Sequence, residues 1–228
     1  EYFSPQNIRR KVDFIVCRHT LEHISDLKGF IFSITKCLND KGIMYFEFPS
    51  LEWIIKNKVF FDFFYEHCNY FTKNSVVALF NQFGFKNIRF NYGLGGQYFR
   101  LEISRFPEKK YNFQPINFTL FSQSINKKIE DYRKIIDNLD DFIVWGAGAK
   151  GVTFLNRLGI NRHKCQYVVD INSNKQNKFI PNTGQKVVSP EILEKEKNKN
   201  VIIMNPVYKK EIEKIATHYN YEGRFITL

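Results

Sequence analysis

No apolar run in the 228-residue chain approaches the ~18 residues that a membrane-spanning helix needs, and its N-terminus shows neither a basic segment nor the apolar core of a signal peptide. A soluble, cytoplasmic protein without a membrane partner is therefore expected. No two of the four cysteines, Cys17, Cys37, Cys68 and Cys165, form a C-x-x-C pair, which argues against a zinc knuckle or a disulfide framework and for reduced thiols. Internal repeats and low-complexity segments are also missing. The chain opens on Glu1 rather than Met, and a strand pattern follows almost at once, so an upstream portion is expected to be absent from this sequence.

What is present describes a folded protein. The chain is 43% hydrophobic and 17% aromatic, enough for one large domain or two of ordinary size, each with a real core. Lys and Arg number 34 against 23 Asp and Glu, a net charge of +11 that would suit an anionic partner such as a nucleotide diphosphate. The lysines, however, are spread along the chain among many Asn and Ile, as compositional bias spreads them, and no nucleic-acid partner is expected.

Val12 to Cys17 is a short, nearly continuous apolar run of the kind that a buried parallel strand shows. A helix capped by Ser25 or Asp26 should follow, with Leu27, Phe30, Ile31, Ile34 and Leu38 on one face and Asn39-Asp40-Lys41-Gly42 at its end. Gly42 to Phe48 then reads as a strand. The aromatic stretch Val59 to Phe71 has neither helical nor strand period and reads as a pocket-lining loop. Thr72 can cap a helix carrying Val76, Leu79, Phe80 and Phe83, with Gly84 beyond its end. Lys86 to Tyr92 and Gln97 to Ser104, joined by Gly93-Leu94-Gly95-Gly96, predict an antiparallel hairpin.

The charged, irregular segment from Pro107 to Pro115 is taken as a boundary, giving domains at 1–106 and 107–228. A long helix should follow, with Ile125, Ile129, Tyr132, Ile136 and Leu139 as its buried stripe. Strands at Phe142–Trp145, Tyr167–Asp170, Val201–Met204 and Arg224–Leu228 alternate with helical patterns, one of them at Val207–Thr217. That alternation predicts a small doubly wound α/β unit, with a polar loop over Asn172–Gln185.

Three constellations could carry chemistry. Gly146-x-Gly148-x-x-Gly151 follows an apolar strand and opens a helix, where glycines allow a phosphate to approach the positive helix end; Asp170 ends the next strand, near the offset at which an acid meets a ribose hydroxyl. Alone, that pattern implies NAD binding, with glycines that serve only strand–helix packing as the lesser alternative. His19-x-x-Glu22-His23 matches a zinc-hydrolase pattern, but it follows directly on a strand and precedes the helix signal, so its histidines need not share a helical face. Glu66-His67, inside the aromatic loop, forms a candidate acid/base pair in which a carboxylate orients an imidazole.

Phe14 to Ile24, followed by Leu38 to Pro49, resembles the second half of a class I SAM-dependent methyltransferase domain. Tyr65-Glu66-His67-Cys68-Asn69-Tyr70-Phe71-Thr72 resembles the Glu-His loop of the sugar C-methyltransferases. Gly146 to Thr153, with Lys175 to Gly184, resembles that family's C-terminal Rossmann-like domain.

The resemblance implies a partial methyltransferase sheet followed by a smaller Rossmann-like α/β domain that holds substrate, commonly a nucleotide-linked keto sugar, rather than acting as an NAD-dependent catalyst. It implies S-adenosyl-L-methionine (SAM) as cofactor, with Cys17, Arg18 and His19 near it. His67 is implied as base, Glu66 as its orienting partner, and Tyr65 or Tyr70 as donor to an enolate oxygen. Gly95, Gly96 and Gln97 are expected to line the substrate side, and Gly146, Gly148 and Lys150 to meet a diphosphate. No metal is expected. Two departures stand out: neither the zinc-binding segment nor the glycine-rich SAM loop of a complete member precedes Glu1, and Phe64 stands where the sugar enzymes tend to carry Tyr. The readings from other classes are a non-catalytic nucleotide-sugar-binding module and a small NAD-dependent oxidoreductase.

Overall fold

Strand β1 (Val12–Arg18) runs parallel to β2 (Leu38–Pro49), connected by helix α1 (Leu27–Lys36), in a computed structural model that describes Ile8, residues 10–197 and residues 199–227. The cap of α1 is Asp26, whose side chain accepts a hydrogen bond from the Gly29 N–H. Asn39-Asp40-Lys41-Gly42 was expected to end that helix but lies inside the β2 span. The β1–β2 register shifts between Val12 and Phe14, so the four residues form an irregularity in the ladder. After β2 come α2 (Leu51–Asn57), α3 (Lys73–Asn81) and the hairpin of β3 (Asn87–Gly93) and β4 (Tyr98–Ser104). Thr72 and Ser75 form a reciprocal capping box on α3.

The sheet order is β1-β2-β4-β3, with β4 antiparallel to both neighbours. Its core is phenylalanine-rich: Phe46, Phe48, Phe80, Phe85 and Phe99 are fully buried. The expectation that β1 is buried along its whole length holds for only part of it. Phe14 and Val16 are 57% and 55% exposed, because among the described residues β1 pairs with β2 alone and nothing covers that face.

Packing divides the chain into two units: residues through Asn57 with Tyr65–Phe118, and Lys58–Phe64 with the chain from Thr119 onward. The charged segment after Pro107 goes with the first. Its Tyr111 hydroxyl donates to the Ile88 carbonyl at 2.9 Å, and Lys109 N–H donates to the Lys86 carbonyl at 3.1 Å.

The second unit holds α4 (Phe118–Asp137) from Thr119 onward, β5 (Phe142–Trp145), α5 (Ala149–Leu158), β6 (Tyr167–Val169), β7 (Lys186–Val188), β8 (Asn200–Ile203), α6 (Lys209–Thr217) and β9 (Phe225–Thr227). Its five strands are all parallel in the order β7-β6-β5-β8-β9, so the winding reverses between β5 and β8. In open parallel sheets ligands bind outside the carboxyl ends of the strands at such a reversal. The short excursion at Lys58–Phe64 seals one face of α5: Phe60 and Phe61 pack on Phe154, and Phe60 also meets Tyr132. Part of the expected pocket-lining aromatic loop is thus core. The chain is mixed α/β, as expected, and no helix among the described residues is long and apolar enough to cross a membrane.

Candidate functional site

Two places answer to the sequence expectations, one in each unit. In the first, the carboxyl ends of β1 and β2 converge on Glu47, which is 5% exposed. Arg18 Nη2 donates to Glu47 Oε1 at 3.0 Å, Arg100 Nε to Oε2 at 3.0 Å and the Tyr45 hydroxyl to Oε2 at 3.2 Å, while His19 Nε2 lies 3.1 Å from Oε1. Burial by itself would raise the Glu47 carboxyl. The hydrogen bonds from Arg18, Tyr45 and Arg100 outweigh it and hold the carboxyl below its ordinary value. Beside this cluster burial pushes the Cys17 thiol up to about 11, so it stays protonated and un-nucleophilic at neutral pH. Sequence reasoning selected Cys17, Arg18 and His19 but passed over Glu47, Tyr45 and Arg100. The cross-strand pairing of β2 with β1 and β4 joins them, and no spacing along the chain records it.

The turn after β1 is a 3-10 turn over Leu21–His23, so His19 and His23 do not share a helical face. The 65–71 loop is laced onto it. Asn69 N–H donates to the Glu22 carbonyl at 3.1 Å, and the Asn69 side-chain amide reaches the Leu21 and Ile24 carbonyls at 3.2 and 2.6 Å. This lacing sets the His67 ring 4.9 Å from the His23 ring and 6.0 Å from Tyr70. Glu66 touches the site through its main chain, its carbonyl accepting from His23 Nδ1 at 2.6 Å. Tyr65 points to solvent and is 98% exposed.

Gly95 and Gly96 form a tight turn with φ of 63° and 93°. Trp53 Nε1 donates to the Gly95 carbonyl at 3.2 Å, and a Cβ on Gly96 would meet Trp53 at 3.1 Å. Gln97 is buried next to that turn, its carbonyl accepting from Ser50 N–H at 2.9 Å.

In the second unit the glycine turn borders a cavity of about 520 Å³ at the winding reversal, between the ends of β5 and β8. Gly146 has φ 120°, and a Cβ on Gly151 would fall 2.0 Å from the Gly146 carbonyl oxygen, so α5 seats on the turn only because Gly151 is a glycine. Ala147 N–H at the head of α5 donates to Asp170 Oδ2 at 2.9 Å, and Lys175 Nζ sits 3.1 Å from the same oxygen. Lys150 lines the cavity, and its ammonium lies 2.7 Å from Asp62, whose carboxyl is raised by burial in spite of that partner.

The two halves of the chain find separate counterparts among known proteins. Residues 104–228 match the family described as C-methyltransferase C-terminal domain, and residues 3–89 match a methyltransferase domain. A curated relative, the C-methyltransferase NovU of Streptomyces niveus, is 21% identical over 195 residues. That match covers 76% of this chain and 46% of NovU, so the chain spans about half the length of its relative.

Proposed function

The chain belongs to the C-methyltransferase family, and from that premise we propose that it forms the catalytic-loop and substrate-holding part of an enzyme that moves a methyl group from SAM to a carbon beside a carbonyl. When bound, SAM supplies an electrophilic methyl on a sulfonium. The observation that carries the reading is the Asn69 lacing, which holds the His67 imidazole beside His23 and Tyr70 against the turn that follows β1.

His67 takes the proton that the acceptor carbon must lose, because an imidazole titrates near neutral pH and needs only to be positioned. Tyr70 is the donor to the developing enolate oxygen, a role for which fully exposed Tyr65 is poorly placed. Glu66 orients the pair through the carbonyl that fixes His23.

Arg18 and His19 are the cofactor-side residues. Their side chains are 55% and 45% exposed at the strand ends, and a guanidinium suits the carboxylate of the SAM amino-acid moiety. Gly95, Gly96 and Gln97 border the substrate side. In the second unit Gly146, Gly148 and Lys150 receive the diphosphate of a nucleotide-linked keto sugar in the 520 Å³ cavity.

The test is His67→Asn in the complete enzyme. Turnover should fall roughly 10²–10⁴-fold, the usual worth of a general base, with S-adenosylhomocysteine binding unchanged by calorimetry. Near-normal turnover would remove His67 from the role.

A further inference from the structure

Glu22, His23 and His67 each present one ligand atom, and these three atoms lie within 4.8 Å of one another. Glu22 is 2% exposed; its Oε1 lies 3.9 Å from His19 Nδ1, while its Oε2 is buried with no hydrogen-bond partner. Burial raises the Glu22 carboxyl accordingly, and a cation placed there would reverse that. His23 donates from Nδ1 to the Glu66 carbonyl, which leaves Nε2 as the nitrogen with an available lone pair. That outer hydrogen bond is what fixes the tautomer and direction of metal-bound imidazoles.

The three residues are also held in place by main-chain and near-main-chain contacts. Asn69 N–H and Cys68 Sγ both donate to the Glu22 carbonyl, at 3.1 and 3.5 Å, so the turn carrying Glu22 and His23 and the loop carrying His67 move as one piece.

We propose that Glu22, His23 and His67 form a binding site for a divalent ion of the zinc class, and that its occupancy blocks methyl transfer by engaging the imidazole of His67. The blocking half rests on the reading of His67 as base; the binding half does not.

Bonds of ~2.0–2.2 Å to a tetrahedral zinc place ligand atoms roughly 3.3 Å apart, so side-chain rotation has to close the cluster by about an ångström or a little more. Two imidazoles and one carboxylate favour zinc, cobalt or nickel over magnesium and calcium, which prefer all-oxygen shells. The exposed His23 ring gives the ion a path from solvent, and the fourth position stays open to water. The sequence pattern His19-x-x-Glu22-His23 therefore contributes only its second and third members; the third ligand comes from the distant loop.

The experiment is titration of the full chain with Co²⁺, read by its visible absorption, followed by displacement with Zn²⁺. One ion per chain is expected, bound at least tenfold more weakly by Glu22→Gln and by His23→Asn. Glu22→Gln removes a buried charge and keeps the side chain's size, so circular dichroism should show it folded. Absence of a cobalt spectrum, or equal affinity in the wild type and both variants, overturns the site. In the complete enzyme, zinc should suppress turnover and a chelator should restore it. Zinc bound with turnover unaffected overturns the block and leaves the site standing. A His67→Asn variant that loses turnover in a chain that never bound metal overturns the site and leaves the base standing.

Discussion

Glu47 and Arg18 are register partners across the β1–β2 ladder, and their side chains are joined as well, Arg18 Nη2 donating to Glu47 Oε1 at 3.0 Å. With Arg100 and Tyr45 on its other oxygen, the buried carboxylate ties β1, β2 and β4 together at one end of the sheet. Because the folded state holds this carboxyl below its ordinary value of 4.5, its contribution is fully present above about that pH and is lost as pH falls through the folded value. Glu47→Gln should cost roughly 1–2 kcal/mol at pH 7, a charge-assisted hydrogen-bond loss discounted for half-exposed arginines. Urea midpoints should show the gap between variant and wild type narrowing as pH falls below ~4.

Glu22 has the opposite sign. Burial raises its carboxyl, so its contribution is fully present below the ordinary value of 4.5 and is lost as pH rises through the folded value. In metal-free buffer Glu22→Gln should leave the melting temperature unchanged or raised at pH 7, with the advantage disappearing toward pH 4. A fall of more than ~5 °C at pH 7 would mean that the His19 ring, 3.9 Å from Oε1, outweighs the cost of burial.

Gly151→Ala places a methyl 2.0 Å from the Gly146 carbonyl oxygen, a main-chain atom that cannot swing aside. A loss of at least ~2–3 kcal/mol is expected, in the upper range for overpacking. At Gly159, where φ is 68° but no atom lies within 4 Å of the added carbon, alanine should cost only about 1 kcal/mol. Thermal melts of the two variants side by side separate collision from backbone strain.

Phe60 stacks on Phe154 with planes inclined 20° and is 5% exposed. Phe60→Ala should cost about 3–5 kcal/mol, as deletion of a buried ring does. A fragment beginning at residue 104 lacks Phe60 and Phe61 altogether and should melt lower than the full chain, as measured by calorimetry.

Elements whose signal is local were legible in the sequence. The Thr72 cap, the choice of Ser25 or Asp26 that Asp26 fills, the β3–β4 hairpin, the Ile129–Tyr132–Ile136 part of the α4 stripe and the Gly146–Gly151 turn each depend on residues a few positions apart, and the structure contains them; Leu139 lies beyond the end of α4. Strand β7 was not legible, because Lys186–Val188 offers only three residues in polar surroundings, held by β6 on one side and by a single bridge to Phe179 on the other. The aromatic run from Val59 to Phe71 was read as one loop, whereas Phe60 and Phe61 serve a core whose other members come much later in the chain. The site divides along the same line. Glu66-His67 and the strand-end residues stand out by type, but the Glu47 network and the approach of His23 to His67 are products of strand pairing and of the Asn69 tether. Lys150, expected from its place in the motif to meet a diphosphate, is paired with Asp62, which no motif contains.

The placement of Lys58–Phe64 with the later unit also bears on synthesis. A ribosome releases Phe60 and Phe61 long before α5 exists to receive them, and at about 5–20 residues per second the ~90 intervening residues take roughly 5–20 s. During that interval two phenylalanines that end up in a core are held out in water on a nascent chain. The first unit can close its own sheet in the meantime, since β3 and β4 are made before α5, but the segment between Asn57 and Tyr65 stays a sticky loop for a holdase chaperone to recognise.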